Sequence, residues 1–93
     1  MNKEKFRTWA LGEGKNKKVI SDTLSRLGKI ERELGIDIEK SYKKDKCAYL
    51  LSLFEHSGKN DEMSKYSTSL PIGKYSMSTY KYAIKQYLKF KEK

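Results

Sequence analysis

Residues 76–93, SMSTYKYAIKQYLKFKEK, decide the fold. At 100° per residue, Met77, Tyr80, Ala83, Ile84, Tyr87, Leu88 and Phe90 gather on one side of a helix, the spacing of a core-facing stripe. On the opposite side Lys81, Lys85, Lys89 and Lys93 recur every fourth residue, with Ser78 and Tyr82 between them. Lysines at i, i+4 repel by about 0.2–0.5 kcal/mol per pair, so the stripe weakens the isolated helix. A polyanionic partner would reverse that sign.

The same two-faced pattern returns upstream. A helix is expected from Asn16, whose side chain can cap the first free N–H groups, to Leu34, with Gly35 as its stop. Val19, Ile20, Leu24, Leu27, Ile30 and Leu34 make its apolar face, and Lys18, Ser21, Ser25, Lys29 and Arg32 lie opposite with Gly28. Glycine inside a helix costs up to about 1 kcal/mol relative to alanine, so Gly28 implies close approach by something, either a nucleic-acid backbone or another helix. Lys15, Lys17 and Lys18 cluster where the macrodipole disfavours cations. Together with the free N–H groups they form a candidate phosphate site, although such runs are commonly just solvated.

Two further helices complete an all-α, four-helix reading. Residues 3–11 place Phe6, Trp9 and Ala10 at i, i+3, i+4, and the Gly-Glu-Gly at 12–14 breaks the helix; Trp9 is expected to anchor the core rather than stack on a base. Residues 36–45 read as a connector with a helical turn begun at Asp37. Asp45 is expected to cap a third helix carrying Cys47, Leu50, Leu51 and Phe54 inward and ending at Gly58. Residues 59–75 are rich in Ser and Lys and lack sustained periodicity. They read as a long loop or β-ribbon, tacked down by Leu70, Pro71 and Ile72, with Ser76 or Ser78 capping the last helix.

A chain of 93 residues makes one small domain. Eleven aromatic residues and clear periodicity argue against disorder. Lys and Arg total 21 against 12 Asp and Glu, a net +9, and the charge is segregated. Residues 1–34 carry 9 − 5 = +4, residues 35–64 carry 5 − 6 = −1, and residues 65–93 carry 7 − 1 = +6. Such a distribution favours nucleic acid or another acidic surface. The single cysteine, Cys47, rules out an internal disulfide framework and fits a reducing compartment, and it reads as a small core residue. No apolar leader follows Met1 and no run approaches the roughly 20 residues that span a bilayer, so a cytoplasmic, non-membrane protein is expected.

The signs of catalysis are missing. His56 is the only histidine, so a zinc site lacks ligands, and no metal or cofactor is expected. Glu31, Glu33, Glu39 and Glu55 fall in no arrangement that would hold a nuclease metal. Phosphate-loop, dinucleotide and hydrolase motifs do not occur, and neither an enzyme nor a small-molecule ligand is expected.

Residues 6–27, FRTWALGEGKNKKVISDTLSRL, and residues 76–90, SMSTYKYAIKQYLKF, together resemble the N-terminal core-binding domain, a SAM-like domain, of phage integrases and other tyrosine recombinases. The shared features are an aromatic helix, a glycine-containing turn, a basic helix start with repeating leucines, and a closing helix. Thr23 and Val19 depart from the family, which often has Tyr and Thr there. The resemblance implies a small four-helix orthogonal bundle, with a long loop before the last helix, whose second and fourth helices grip duplex DNA in DNA recombination and integration. Carried over by position, it implicates Lys15, Lys17, Lys18, Ser21, Ser25 and Lys29, and then Ser78, Thr79, Lys81, Tyr82 and Lys85. The helical wheels give the same residues except Thr79, and add Lys89. The family's catalytic Arg, Lys, His-x-x-Arg and Tyr belong to a C-terminal domain that these 93 residues do not contain. The chain is thus expected to be a recombinase fragment, with a catalytic domain or other protomers as partners, or a self-standing DNA-binding module. The competing reading is a phage or mobile-element adaptor or inhibitor that sets the basic face against an acidic protein, with Tyr66, Tyr75 and Tyr82 as its anchors.

Overall fold

Asparagine and glycine set the boundaries of the first two helices as their chemistry requires. In the computed structural model, which describes residues 2–55, 61–66 and 74–92 apart from the side chains of Ser64, Lys74, Tyr75 and Ser76, α1 spans Lys3–Gly12 and α2 spans Lys17–Leu34. Asn2 Oδ1 accepts from Lys5 N at 3.0 Å and Asn16 Oδ1 from Val19 N at 2.9 Å. Each caps one of the orphan donors that every helix start leaves. At the far end of α2, Gly35 takes φ +63° and donates its N–H to Glu31 O at 3.0 Å, a left-handed stop that glycine reaches without a Cβ clash.

The middle of the chain departs from expectation. The connector is itself a helix, α3 (Ile38–Asp45), capped by Asp37, which accepts from Lys40 N at 3.1 Å. Asp45 therefore ends one helix instead of starting the next. Lys46 and Cys47 then both take left-handed backbone, φ +55° and +63°, and turn the chain into the short helix α4 (Ala48–Ser52). Asp45 still serves that start, because its Oδ2 accepts from Tyr49 N at 3.2 Å. The helix expected to run to Gly58 stops at Ser52, and His56 and Gly58 lie outside the described residues.

Within the stretch expected as loop or ribbon, Asp61–Ser64 forms a helical turn, α5, and no strand occurs among the described residues. Leu70, Pro71 and Ile72 lie outside them. The last helix, α6, spans Lys74–Glu92, so Ser76 and Ser78 sit inside it and neither caps it. The fold is all-α, with the four expected helices joined by α3 and α5.

One core unites them. Ile20, Leu24, Leu27, Ile30 and Leu34 of α2 meet Met77, Tyr80, Ala83, Ile84, Tyr87 and Phe90 of α6, closed by Phe6 and Ala10 from α1 and by Ile38, Cys47, Leu50, Leu53, Phe54 and Met63 from the middle segments. The thinnest dimension is 19 Å, room for two layers of helices each about 10 Å across. Trp9 packs against this core as expected, but from its edge and not as its anchor. It stays half-buried against Phe6 and Phe90, ring centroids 5.6 and 5.7 Å away, and the fully buried anchor of α1 is Phe6. Cys47 is buried among apolar groups, its thiol donating to Ile38 O at 3.9 Å and pushed up in pKa by that burial, as befits a packing residue.

A polar clasp ties α3 to α6. Tyr87 Oη donates to Glu39 Oε2, Lys91 Nζ donates to Glu39 Oε1 at 2.7 Å, and Lys91 lies 5.7 Å from the centre of the Tyr42 ring. Lys91 holds the Glu39 carboxyl below its ordinary 4.5, and Tyr87 adds to the effect. Burial, then the same carboxylate, pushes the Tyr87 hydroxyl far up, so it stays a donor at any physiological pH. A depressed carboxylate contributes stability that is complete above its unfolded pKa and lost as pH falls through the folded one. Glu39→Gln is expected to destabilise by about 2 kcal/mol at pH 7. In urea titrations that deficit should shrink steadily below pH 4.5. A deficit of equal size at pH 3 and pH 7 would show that the ion pair is not its source.

Candidate nucleic-acid interface

Burying one face of α2 forces the other outward. Lys17, Lys18, Ser21, Ser25 and Arg32 are exposed, while Lys15, Gly28 and Lys29 are partly covered. Lys15 sits in the turn that Gly14 shapes at φ +83°, its N–H donating to Ala10 O at 3.2 Å. Lys17 and Ser21 line a cleft of about 230 Å³ with Arg7, Leu11 and Ile20, where α1 meets the start of α2. Ser25 and Lys29 line a second hollow of about 220 Å³ with Asp22, Arg26 and Tyr80. Through Tyr80 the outer flank of α2 adjoins α6.

Gly28 answers one of the two explanations for its presence. A Cβ built there would meet only Arg32 Nη1, at 3.6 Å, an ordinary contact with the end of a flexible side chain. Among the described residues no other helix comes within 4 Å of that position, so close helix packing there does not explain the glycine.

On α6 the expected stripe divides. Lys85 and Lys89 are exposed, as is Tyr82 at 41%. Lys81 is half-buried and pairs with Glu55 Oε1 at 3.4 Å, a contact that any phosphate must compete with. Ser78 is exposed and Thr79 half-buried, and both are engaged with other groups of the chain. Of the tyrosines read as protein anchors, Tyr66 shares a hydrogen bond with Tyr49, hydroxyl to hydroxyl, at 3.1 Å, and the Tyr75 side chain is outside the described residues.

Two cations escaped the sequence reading. Arg7 and Arg26 line the two hollows, but neither lies on the lysine stripes that the helical wheels single out. Arg26 follows Asp22 by four residues, a spacing that reads as an internal ion pair more readily than as a ligand contact. Among the described residues no group of three or more His, Cys, Asp or Glu side chains could hold a metal, and no helix is long and apolar enough to cross a membrane. No family model, curated protein or solved structure matches the chain.

Proposed function

We propose that the chain is a DNA-binding module of the kind seen in the core-binding domain of phage integrases, gripping duplex DNA through the outer faces of α2 and α6. It works without catalytic chemistry of its own, in the cytoplasm, alongside a recombinase catalytic domain or other protomers. The observation that carries this reading is the outer face of α2. Lys18, Ser21 and Ser25 stand exposed on the same side of the helix as Gly28, where an added Cβ would meet only the end of the Arg32 side chain among the described residues. Ammonium groups attract phosphates, hydroxyls can donate to their oxygens, and a residue without Cβ lets a sugar-phosphate backbone come close. Lys15 and Lys17 at the α2 start, with Lys29, Lys85 and Lys89, extend the same positive field. Ser78, Thr79, Lys81 and Tyr82 are placed at its margin, Lys81 after release from Glu55.

Affinity for a mixed-sequence duplex should fall with salt along a log–log slope near −4 to −5, the value for about five phosphate contacts. Gly28→Ala sharpens the test. It should raise stability by about 0.5–1 kcal/mol, because the new methyl group has room and alanine favours the helix. The same variant should weaken duplex binding. A flat salt response, or a Gly28→Ala protein that binds as tightly as the parent, would remove the DNA reading. A complex with an acidic protein that survives salt strong enough to strip DNA would put the adaptor reading in its place.

A further inference from the structure

Trp9 is the chain's only tryptophan, and it forms a wall of the groove between α1 and the end of α6. The groove measures about 640 Å³ and is lined by Glu4, Lys5, Thr8, Trp9, Phe90 and Lys91. That volume lies within the range of sites for small ligands, roughly 300–1,000 Å³. The indole packs against both Phe6 and Phe90, whose rings are themselves 5.4 Å apart, so its orientation is set before anything binds. Two of the charges around it are already neutralised. Glu4 pairs with Arg7 and Lys91 with Glu39, both at 2.7 Å. Lys5 is exposed and makes no ion pair among the described residues, so the groove combines an aromatic wall with one open positive charge. Phe90 directly follows Lys89, the last lysine of the α6 stripe among the described residues; Lys93 lies outside them.

We infer that this groove takes one unpaired nucleobase, stacked on Trp9 with its phosphate against Lys5, from a strand that leaves a duplex lying along α6. The inference rests on the nucleic-acid reading above. Stacking on an aromatic ring is sequence-tolerant, because every base has a π face, and a neighbouring cation holds the backbone. Thr8 offers a hydroxyl to the base edge. Phe90 and the Glu4 carboxylate also border the groove, but Glu4 is already paired with Arg7, so the open Lys5 ammonium favours a phosphate-bearing ligand over a cationic peptide.

The test compares two DNAs with the intact protein, a blunt duplex and the same duplex with a short thymidine overhang. Trp9 emission and the anisotropy of a labelled strand are followed together. The overhang should quench Trp9 saturably and bind about tenfold more tightly than the blunt duplex, which should bind without quenching. Trp9→Leu should remove the tenfold advantage and leave blunt-duplex affinity unchanged. Should that variant lose helicity, Lys5→Gln, altered at an exposed site, should still reduce the overhang's advantage. Equal affinity for both DNAs, or tight overhang binding with unchanged emission, would overturn the inference while leaving duplex binding intact. Failure of both DNAs to bind would take the functional reading down with it.

Discussion

Phe6→Ala is expected to remove about 3–5 kcal/mol of stability, the usual cost of cutting a buried phenyl ring back to a methyl group. Phe6 is 1% exposed and packs edge-on against Phe90, so its loss empties the junction of α1 and α6 instead of trimming a surface. A domain of this length holds on the order of 5–14 kcal/mol in total. The melting temperature should accordingly fall by on the order of 20 °C. Trp9→Ala removes a larger side chain but a less buried one, and about 2 kcal/mol is expected for a half-buried ring. Thermal unfolding followed by circular dichroism would rank the pair. If Trp9→Ala proved the more damaging, the burial order of these two rings would have to be reversed, and with it the open groove beside the indole.

That contrast shows where local pattern stops being informative. Periodicity placed Phe6, Trp9 and Ala10 on one face of α1, but which of two aromatic rings reaches the centre depends on Phe90, more than eighty residues away. The two long helices were readable because every signal agreed: a cap at Asn16, a left-handed stop at Gly35, and apolar spacing whose members nearly all proved buried. Between α3 and α4 the signals conflicted. Lys46 and Cys47 occupy left-handed backbone with neither Gly nor Asn present, so nothing in the residue types announced a break. Asp45 carried the right chemistry, an acceptor for the start of α4, while sitting in a different element. The Glu39 clasp to Tyr87 and Lys91 joins residues 48 and 52 positions apart and has no periodic trace. Exposure of the α2 and α6 stripes, by contrast, follows from burial of their opposite faces. What the stripes concealed was partnership. Only the fold shows Lys81 engaged by Glu55, and only the fold shows that a Cβ at Gly28 would meet no other described helix within 4 Å.

Replacing Lys18, Lys29, Lys85 and Lys89 together with glutamine is expected to weaken duplex binding about 10³-fold at 0.1 M salt. The magnitude follows from counterion release: each neutralised phosphate contributes about 0.9 to the salt slope, hence about 0.9 decades between 0.1 M and 1 M salt. Four lost contacts amount to about 3.6 decades if all four lysines touch phosphate, and the slope should flatten by the same number. None of these lysines forms an ion pair among the described residues; Lys18, Lys85 and Lys89 are exposed and Lys29 is partly covered. Helicity and melting temperature should therefore be unchanged or slightly improved, since the i, i+4 repulsion between Lys85 and Lys89 is relieved. Lys81→Gln alone makes the informative comparison. Its ammonium group must leave Glu55 before it can reach DNA, so it should cost less affinity than Lys85→Gln. A loss spread equally over all sequences, with the slope reduced in step, identifies phosphate contacts. A loss confined to one sequence would move the lysines to base edges. A quadruple variant that binds like the parent would take the cationic faces of α2 and α6 out of the interface.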